Sequence, residues 1–297
     1  MLERELADLR LCAATVRFYP RTGFTAYREH RLFRRDPAIR FRGAMHETIL
    51  PDIERIIAGG RQVRGNSQLT IDHLGYDGDQ SHKTERNLRL LLKELRAQPG
   101  RVYLWWHLGT IYRDLDRIAD AEAAWWEGVE IARRSDDSRP EDALCFAELA
   151  KSRLLKGEEA AALIAEAHRL NPENLLVLWL EARQLTAAGR YAEAIPIFER
   201  LGSVDPDELV TEAAYDRRIL GASAFAEAGY YAFQLGHYRE SEAWYRRAER
   251  HAPGCLEFRI KRQLAGIRAA EMASTQSQRS GRSPGELADQ NLCGGGD

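Results

Sequence analysis

The sequence predicts a mainly α-helical protein of repeated helix pairs, preceded by a small segment that mixes strands with one helix. Three observations carry this prediction. Small and aromatic residues recur with a period of about 34 residues in the second half of the chain. Residues 83–97 carry leucines at helical spacing. Residues 1–76 instead contain short β-type runs separated by turn residues.

The front of the chain contains four candidate strands and one short helix. Each candidate strand is flanked by Pro, Gly, Asn or Asp, which favour turns. A helix is predicted from Pro51 to Ala58, because proline stands near its start and two glycines follow its end. We expect such an incomplete sheet to leave strand edges unpaired and open to association. The candidate strands are Leu11–Tyr19, Ala26–Phe33, Ile39–Gly43 and Gln68–His73.

Two further segments flank the repeats. A helix within residues 83–100 is predicted to bridge the front segment, 1–82, and the repeats, 101–268. Its apolar residues fall at positions i, i+3, i+4 and i+7, on one helix face. Residues 269–297 are rich in Ser, Gln, Arg and Gly, and they are predicted to form a disordered tail. The leucines of the bridging helix are Leu88, Leu91, Leu92 and Leu95.

Four repeats align along the second half of the chain. Small residues stand where two helices approach closely, large aromatic residues fill the gaps between helices, and prolines end each second helix. The aligned residues are Trp105, Leu108, Gly109, Tyr112, Ala121, Trp125 and Gly128 in the first repeat, and Ala160, Ala167 and Pro172 in the second. They are Gly189, Tyr191, Ala194, Phe198 and Pro206 in the third repeat, and Gly229, Gly236, Tyr238, Tyr245, Ala248 and Pro253 in the fourth.

Two departures interrupt the alignment. The second repeat has a shortened turn at Gly157. About thirteen extra residues, which include Asp207 to Arg218, separate the third repeat from the fourth. We expect this insert either to lengthen a helix or to add one.

The aligned residues resemble the tetratricopeptide repeat family over about half of the chain. The resemblance implies a right-handed superhelix whose first helices line a concave groove for a protein or peptide partner. Aromatic and Arg residues are frequent binding hot spots; in the alternative, Trp106 and Trp179 only cover neighbouring helices. The Lys and Asn pair that clamps a C-terminal carboxylate in some members is missing, which argues against a chaperone-tail receptor. The family's groove positions correspond to Tyr103, Trp106, Thr110, Arg113, Trp179, Arg183, Tyr230 and Phe233.

The front segment carries a second set of motifs, which repeats do not explain. In chain order they are Arg31-Leu-Phe-Arg-Arg35, Arg40-Phe-Arg-Gly43, His46-Glu47, Ile71-Asp-His-Leu-Gly-Tyr76 and Lys83-Thr-Glu-Arg-Asn87. This order resembles the C-terminal end of the catalytic domain in bacterial family 2 glycosyltransferases that continue into tetratricopeptide repeats. The resemblance covers roughly residues 10–97. It implies a small α+β fragment of a GT-A glycosyltransferase fold without the nucleotide-binding half.

The resemblance makes His46 and Glu47 the candidate catalytic residues, near a metal or an acceptor. Imidazole and carboxylate groups ligate metals and move protons near neutral pH. In the structural alternative, Glu47 pairs with a nearby arginine. A divalent metal and a sugar nucleotide are expected only in a complete transferase, and no cofactor is expected for the chain alone. Asp77-Gly78-Asp79 matches a D-x-D motif, but it follows a late segment and is predicted to be an exposed turn.

Composition limits the other classes of function. The formal net charge of -2 gives no field that favours nucleic acid or an anionic membrane as the main partner. No apolar run approaches the roughly 18 residues of a membrane span, and the acidic start does not fit a signal peptide. The expected location is therefore cytoplasmic. The four cysteines form no C-x-x-C pair, so neither a zinc site nor a disulfide framework is indicated.

Three hypotheses follow from the sequence. The favoured one is a tetratricopeptide-repeat interaction scaffold that carries the remnant of a family 2 glycosyltransferase and is inactive alone. The second is a transferase subunit or fragment that becomes active when a separate chain supplies the nucleotide-binding half. The third is a truncated reading frame without a function of its own.

Overall fold

The computed structural model describes residues 7–20, 23–43, 47–73, 81–211 and 213–280. The chain divides into two compact units, Met1–Gly221 and Ala222–Asp297. The first compact unit contains the front sheet together with the first three repeats. The sequence had instead separated the front segment from the helices at residue 82.

The front sheet has three strands, β1 (Leu11–Pro20), β2 (Tyr27–Phe33) and β3 (Val63–His73), in the order β2-β1-β3. β1 pairs antiparallel with β2 and parallel with β3. Helix α1 (Leu50–Ala58) precedes β3 and buries an isoleucine cluster against β1. The predicted strands at β1 and β2 and the predicted short helix are therefore confirmed.

Two strand predictions need correction. Ile39–Gly43 forms no strand; Asp36 starts a turn there, and only Arg42 pairs with Thr48 as an isolated bridge. Conversely, β3 begins at Val63, five residues before the predicted start at Gln68. Its first half is polar, but parallel pairing with β1 holds it extended, and the Thr15 hydroxyl donates to the Asn66 side chain at 2.7 Å. Tertiary contacts thus override local strand propensity.

The rest of the first compact unit consists of helices that pack as successive antiparallel pairs. Helix α2 packs on α3 through Leu91 and Leu95, which confirms the bridging helix. The first helices α3, α5 and α7 also contact one another in order. The bounds are α2 Ser81–Ala97, α3 Val102–Asp114, α4 Ile118–Arg134, α5 Ala143–Leu155, α6 Ala161–Leu170, α7 Leu175–Ala187 and α8 Tyr191–Gly202.

The second compact unit contains the fourth repeat and one long helix. Helix α9 (Gly221–Gln234) begins at the last residue of the first compact unit, and α10 (Tyr238–His251) follows it. Helix α11 runs from Leu256 to Ser280 and packs against α10. The predicted disordered tail started at residue 269, but the helix-forming residues around Ala269 and Ala270 extend α11 by a further three turns. Residues 281–297 lie outside the described residues.

Close approach between paired helices explains the small residues of the repeat. A Cβ atom at Gly109 would overlap the indole ring of Trp125, and one at Gly229 would lie 3.0 Å from the Tyr245 ring. Both aromatic residues are buried. The described helices α6, α8 and α10 each end just before the proline assigned to that boundary. The helix pairs and these contacts recur at the spacing of the predicted repeat.

The insert between α8 and α9 lies along the free edge of β2. The backbone N–H of Thr25 donates to the Tyr215 carbonyl at 2.8 Å, and that of Arg28 donates to the Thr211 carbonyl at 2.9 Å. Isolated bridges link Phe24 with Asp216 and Tyr27 with Thr211. The insert therefore neither lengthens a helix nor adds an α-helix, and the expected unpaired edge at β2 is in fact covered.

Within the described residues, no helix combines the length and apolar content that a bilayer crossing requires.

Candidate functional site

The predicted groove residues of the first repeat share one face of α3. The ring centroids of Tyr103 and Trp106 lie 5.6 Å apart, and His107 lies 4.4 Å from both rings. The Thr110 hydroxyl donates to the Trp106 carbonyl at 3.0 Å. This bond is internal to the helix, so the hydroxyl already has a partner. The face is a half-buried aromatic cluster.

Arg113, the fourth groove residue on α3, is held by the next repeat. Its guanidinium lies 3.1 Å from the Glu148 carboxylate on α5 and 3.3 Å from Asp114. Glu148 is almost fully buried, so the pair is a partly desolvated link between two first helices. Sequence reasoning missed Glu148, although its charge is opposite to that of Arg113 and it lies about one repeat further along.

The third repeat supplies Trp179 and Arg183 on α7. The Trp179 ring packs edge-on against buried Phe198 of α8 at a centroid distance of 5.4 Å. The Arg183 guanidinium lies 5.9 Å from the Trp179 ring centroid. These contacts fit the alternative in which Trp179 covers a neighbouring helix.

The insert reaches the same first helices. Burial raises the pKa of Tyr215, and a hydrogen bond from the backbone N–H of Leu175, at the start of α7, opposes that rise. The Arg218 guanidinium, which is 2.5 Å from Asp216, lowers the pKa of that carboxyl, and Lys151 on α5 lowers it further. The insert thus lies close to α5 and α7.

In the fourth repeat, one of the two predicted groove residues is exposed. Tyr230 is 44% exposed, and its ring meets Tyr231 edge-on at 5.0 Å. Phe233 is half-buried against Tyr238 at 4.9 Å.

Helix α11 adds exposed apolar residues that sequence reasoning missed. Ile260, Leu264 and Ile267 lie on one helix face and are exposed. Leu264 and Ile267 each follow a groove residue of α9, Tyr230 or Phe233, by one repeat length of about 34 residues. That spacing is the signal that identifies them.

Of the two predicted catalytic residues of the front segment, the structure describes only Glu47. His46 lies outside the described residues, as does Asp77-Gly78-Asp79. Glu47 is exposed and directly precedes Thr48, which pairs with Arg42 in an isolated bridge.

Two arginines in this part of the chain, Arg42 and Arg55, pair with a different acid, Asp52. The Arg42 guanidinium lies 3.1 Å from the buried Asp52 carboxylate, and Arg55 also pairs with it. The hydrogen bond from Arg42 is the main cause that lowers the pKa of Asp52 to about 2. The expected pairing of Glu47 with an arginine is therefore not formed in the described part of the chain.

The described residues contain no group of three or more His, Cys, Asp or Glu side chains positioned to hold a metal ion. A depression lined by Arg153, Glu159 and Leu163 measures about 130 Å³. Small-molecule sites typically have a volume of roughly 300 Å³ or more.

Comparison with known proteins gives one similar curated sequence. No family model matches the chain. The cytochrome c-type biogenesis protein CycH of Pseudomonas aeruginosa is 31% identical over 129 residues, which cover 43% of this chain and 31% of CycH. The chain thus spans about a third of the length of that relative.

Several solved structures resemble part of the chain at low sequence identity. YrrB, described as a TPR protein with an unusual peptide-binding site, has a TM-score of 0.46 at 16% identity and covers 61% of this chain and 84% of its own. MamA has a TM-score of 0.44 at 18% identity, covering 64% of this chain and 97% of its own. Cut9, in its complex with Hcn1, has a TM-score of 0.45 at 13% identity, covering 64% and 34%.

Proposed function

We propose that the repeats bind another polypeptide, so that the chain serves as a tetratricopeptide-type interaction scaffold. The observation that carries the proposal is the set of exposed apolar side chains at groove positions of the second compact unit, with Tyr230 as its aromatic member. Exposed apolar surface is usually retained for binding, and tyrosine is a frequent hot-spot residue.

The rest of the groove fits a supporting role in this proposal. Arg113 and Trp179 are engaged by Glu148 and Phe198 within the chain. Such contacts stiffen the helix stack and hold the exposed residues in a fixed arrangement. Pre-organised surfaces bind with a lower entropic cost than flexible ones.

Selection from a displayed peptide library against the full chain tests the proposal. The enriched peptides are then synthesised, and their affinity is measured by fluorescence anisotropy for the wild type and for Tyr230→Ser. We expect saturable binding that is weakened in the variant, because a groove residue is lost. If no peptide is enriched above a library control on an unrelated helical protein, the proposal is wrong.

As a second candidate, we propose that the front segment is the remnant of a family 2 glycosyltransferase of the GT-A type. One structural observation favours it beside the sequence motifs. β1 and β3 are parallel, and the connection between them contains α1, as in α/β folds. Among the described residues no group of three or more potential ligands surrounds Glu47, and one carboxylate does not make a metal and nucleotide site. Activity would need a second chain that supplies the nucleotide half, a divalent metal and the sugar nucleotide.

Calorimetry tests this second candidate. The purified chain is titrated with uridine and guanosine diphosphate sugars in the presence of manganese. We expect no heat of binding for the chain alone, because its described residues contain no group of three or more side chains positioned to hold the metal. Specific saturable heat would overturn the remnant interpretation and indicate an intact donor site. The cytoplasmic location stays a prediction.

A further inference from the structure

Helix α11 carries an apolar stripe that nothing in the described chain covers. Its members are between 46% and 57% exposed and recur at i, i+4, i+8 and i+11. Successive residues are about 100° apart around a helix, so this spacing places them on one face over about three turns. The stripe consists of Leu256, Ile260, Leu264 and Ile267.

The opposite face of α11 attaches the helix to α10. Ala265 on that face is fully buried. The Arg262 guanidinium lies 2.7 Å from the Glu249 carboxylate of α10, and Gly266 lies close to Glu242. The stripe therefore faces away from the helix that α11 packs on, and its exposure is a property of an ordered helix.

The repeat register assigns the stripe to the groove. Counting one repeat length of about 34 residues back from Ile260, Leu264 and Ile267 leads to positions 226, 230 and 233 of α9. Two of these are the predicted groove residues Tyr230 and Phe233. Helix α11 thus occupies the place of the first helix of a further repeat, and its stripe takes the groove positions of that helix.

Three cations and the carboxylates of Glu257 and Glu271 lie beside the stripe, so its surroundings carry one net positive charge. On the helical projection Arg259 lies on one flank, and Lys261 and Arg268 lie on the other. Lys261 and Arg268 pair with Glu257 at 2.6 Å and Glu271 at 3.1 Å, both within α11. Exposed pairs of this kind contribute little and exchange readily. Arg259 forms no ion pair within the described part of the chain.

Charge disfavours a second copy of α11 as the occupant. An antiparallel pair that matches Ile260 with Ile267 would place Arg259 of one copy beside Arg268 of the other. It would also place Leu256 opposite Glu271. Like charges and a buried carboxylate both weaken such a pair. The stripe is also much smaller than the roughly 20–30 residues a side of a standard stable interface.

We propose that this stripe binds an amphipathic helix of another protein, with aliphatic residues on one face and Asp or Glu along its flanks. This inference rests on the proposed polypeptide-binding function and identifies the partner's chemistry. A straight stripe of aliphatic side chains over three turns complements the stripe of a second helix. The partner's acidic flanks would pair with Arg259, Lys261 and Arg268.

The test uses the full chain and three labelled synthetic helices of about 18 residues, roughly five turns. The first has a leucine stripe with Glu flanks, the second has Lys in place of Glu, and the third is a scrambled sequence of the first. Affinity is measured by fluorescence anisotropy. We expect the Glu-flanked helix to bind best and its affinity to fall with added salt, because charge pairs are screened.

Two variants locate the binding. The double variant Ile260→Ser with Leu264→Ser removes two aliphatic side chains from the stripe without touching the buried face. Leu155→Ser is the matched control, since Leu155 on α5 is 81% exposed but lies in the first compact unit. We expect at least about tenfold weaker binding in the double variant and less than about twofold change in the control.

Four outcomes would overturn the inference. In the first, the helix binds equally well to the double variant. In the second, library-selected peptides bind while the Glu-flanked helix does not, which leaves the proposed function intact. In the third, sedimentation equilibrium gives a dimer that the double variant dissolves, so the occupant is a second copy. In the fourth, the wild type but not the double variant binds vesicles of phosphatidylcholine with phosphatidylserine, so the stripe meets a membrane surface.

Discussion

The groove positions of the first compact unit and those of the second have the same repeat register but different chemistry. In the first, Arg113 pairs with Glu148, Trp179 packs on Phe198, and the insert lies close to α5 and α7. In the second, Tyr230 and the apolar stripe of α11 are exposed. Predicted groove positions that share one repeat register therefore differ in whether their side chains are engaged within the chain or exposed.

The difference follows from the elements that pack together in each compact unit. The first compact unit joins a sheet to helices, and the insert's hydrogen bonds to β2 connect residues almost 200 positions apart in sequence. At its predicted groove positions, Arg113 and Trp179 make contacts that link neighbouring helices of this unit. The described part of the second compact unit consists of helices, and the side chains of its stripe stay about half exposed there. Its exposed side chains are thus available for a partner.

The largest effect is expected where a groove contact is part of the core. Phe198→Ala removes a fully buried ring and leaves a cavity beneath Trp179. We expect the free energy of unfolding to fall by about 3–5 kcal/mol. Urea unfolding followed by circular dichroism measures the loss, and hydrogen exchange in α7 and α8 locates it.

The matched substitution in the open region is Leu264→Ala on α11. The side chain is half-exposed and faces away from α10, so we expect a change within about 0.5 kcal/mol. A comparable loss in both variants would mean that the stripe supports the fold after all, and the contrast between the two regions would fail.

The next largest loss of stability is expected at Gly109 and Gly229, which occupy equivalent places in the two regions. Gly109→Ala would drive a methyl group into the Trp125 indole, whose N–H donates to the Trp106 carbonyl at 3.2 Å. We expect a loss of about 1–3 kcal/mol from overpacking. At Gly229 the nearest atom, in the Tyr245 ring, is 3.0 Å away and the ring has only to shift slightly.

For Gly229→Ala the gain in helix propensity, about 1 kcal/mol, offsets the crowding. We therefore expect a smaller loss than for Gly109→Ala, measured by thermal unfolding of both variants. Gly254→Ala, where nothing lies within 4 Å of the added methyl, serves as the control. Equal losses at Gly109 and Gly229 would show that the tighter packing of the first compact unit has no energetic consequence.

Sequence periodicity predicted the helices better than it predicted the site. The period of about 34 residues identified the helix pairs and their glycine contacts, because packing constraints recur in every repeat. It missed Glu148 and the insert's pairing with β2, since both depend on contacts between distant segments. The same period also relates Leu264 of the α11 stripe to Tyr230, but the four aligned repeats end at Pro253, before Leu264.

Breaking a hydrogen bond between the insert and Thr25, just before β2, is expected to give an intermediate loss of stability. The Thr25 hydroxyl is fully buried and accepts a hydrogen bond from the Tyr215 backbone N–H at 2.9 Å. Thr25→Val keeps the shape but leaves that N–H without an acceptor, so we expect a loss of about 1–2 kcal/mol. Hydrogen exchange should accelerate at residues 213–217.

Thr25→Ser is the control, because it restores the hydroxyl while removing one methyl group. Exchange at residues 213–217 should then stay close to that of the wild type. If Thr25→Val leaves hydrogen exchange in the insert unchanged, the contacts with the helices alone hold the insert in place. The hydrogen bond to Thr25 then contributes nothing to it.

The smallest effect is expected at the ion pair that links two groove helices. A double-mutant cycle of Arg113→Met and Glu148→Gln isolates the coupling between the two side chains, which lie 3.1 Å apart. Because Arg113 is about one third exposed while Glu148 is nearly buried, we expect a coupling of about 1 kcal/mol. Neither variant should weaken binding of the Glu-flanked helix, since the pair belongs to the first compact unit. Weaker binding in Arg113→Met would instead mean that the partner uses the cation of α3, and the division between a stabilising groove and an open one would no longer hold.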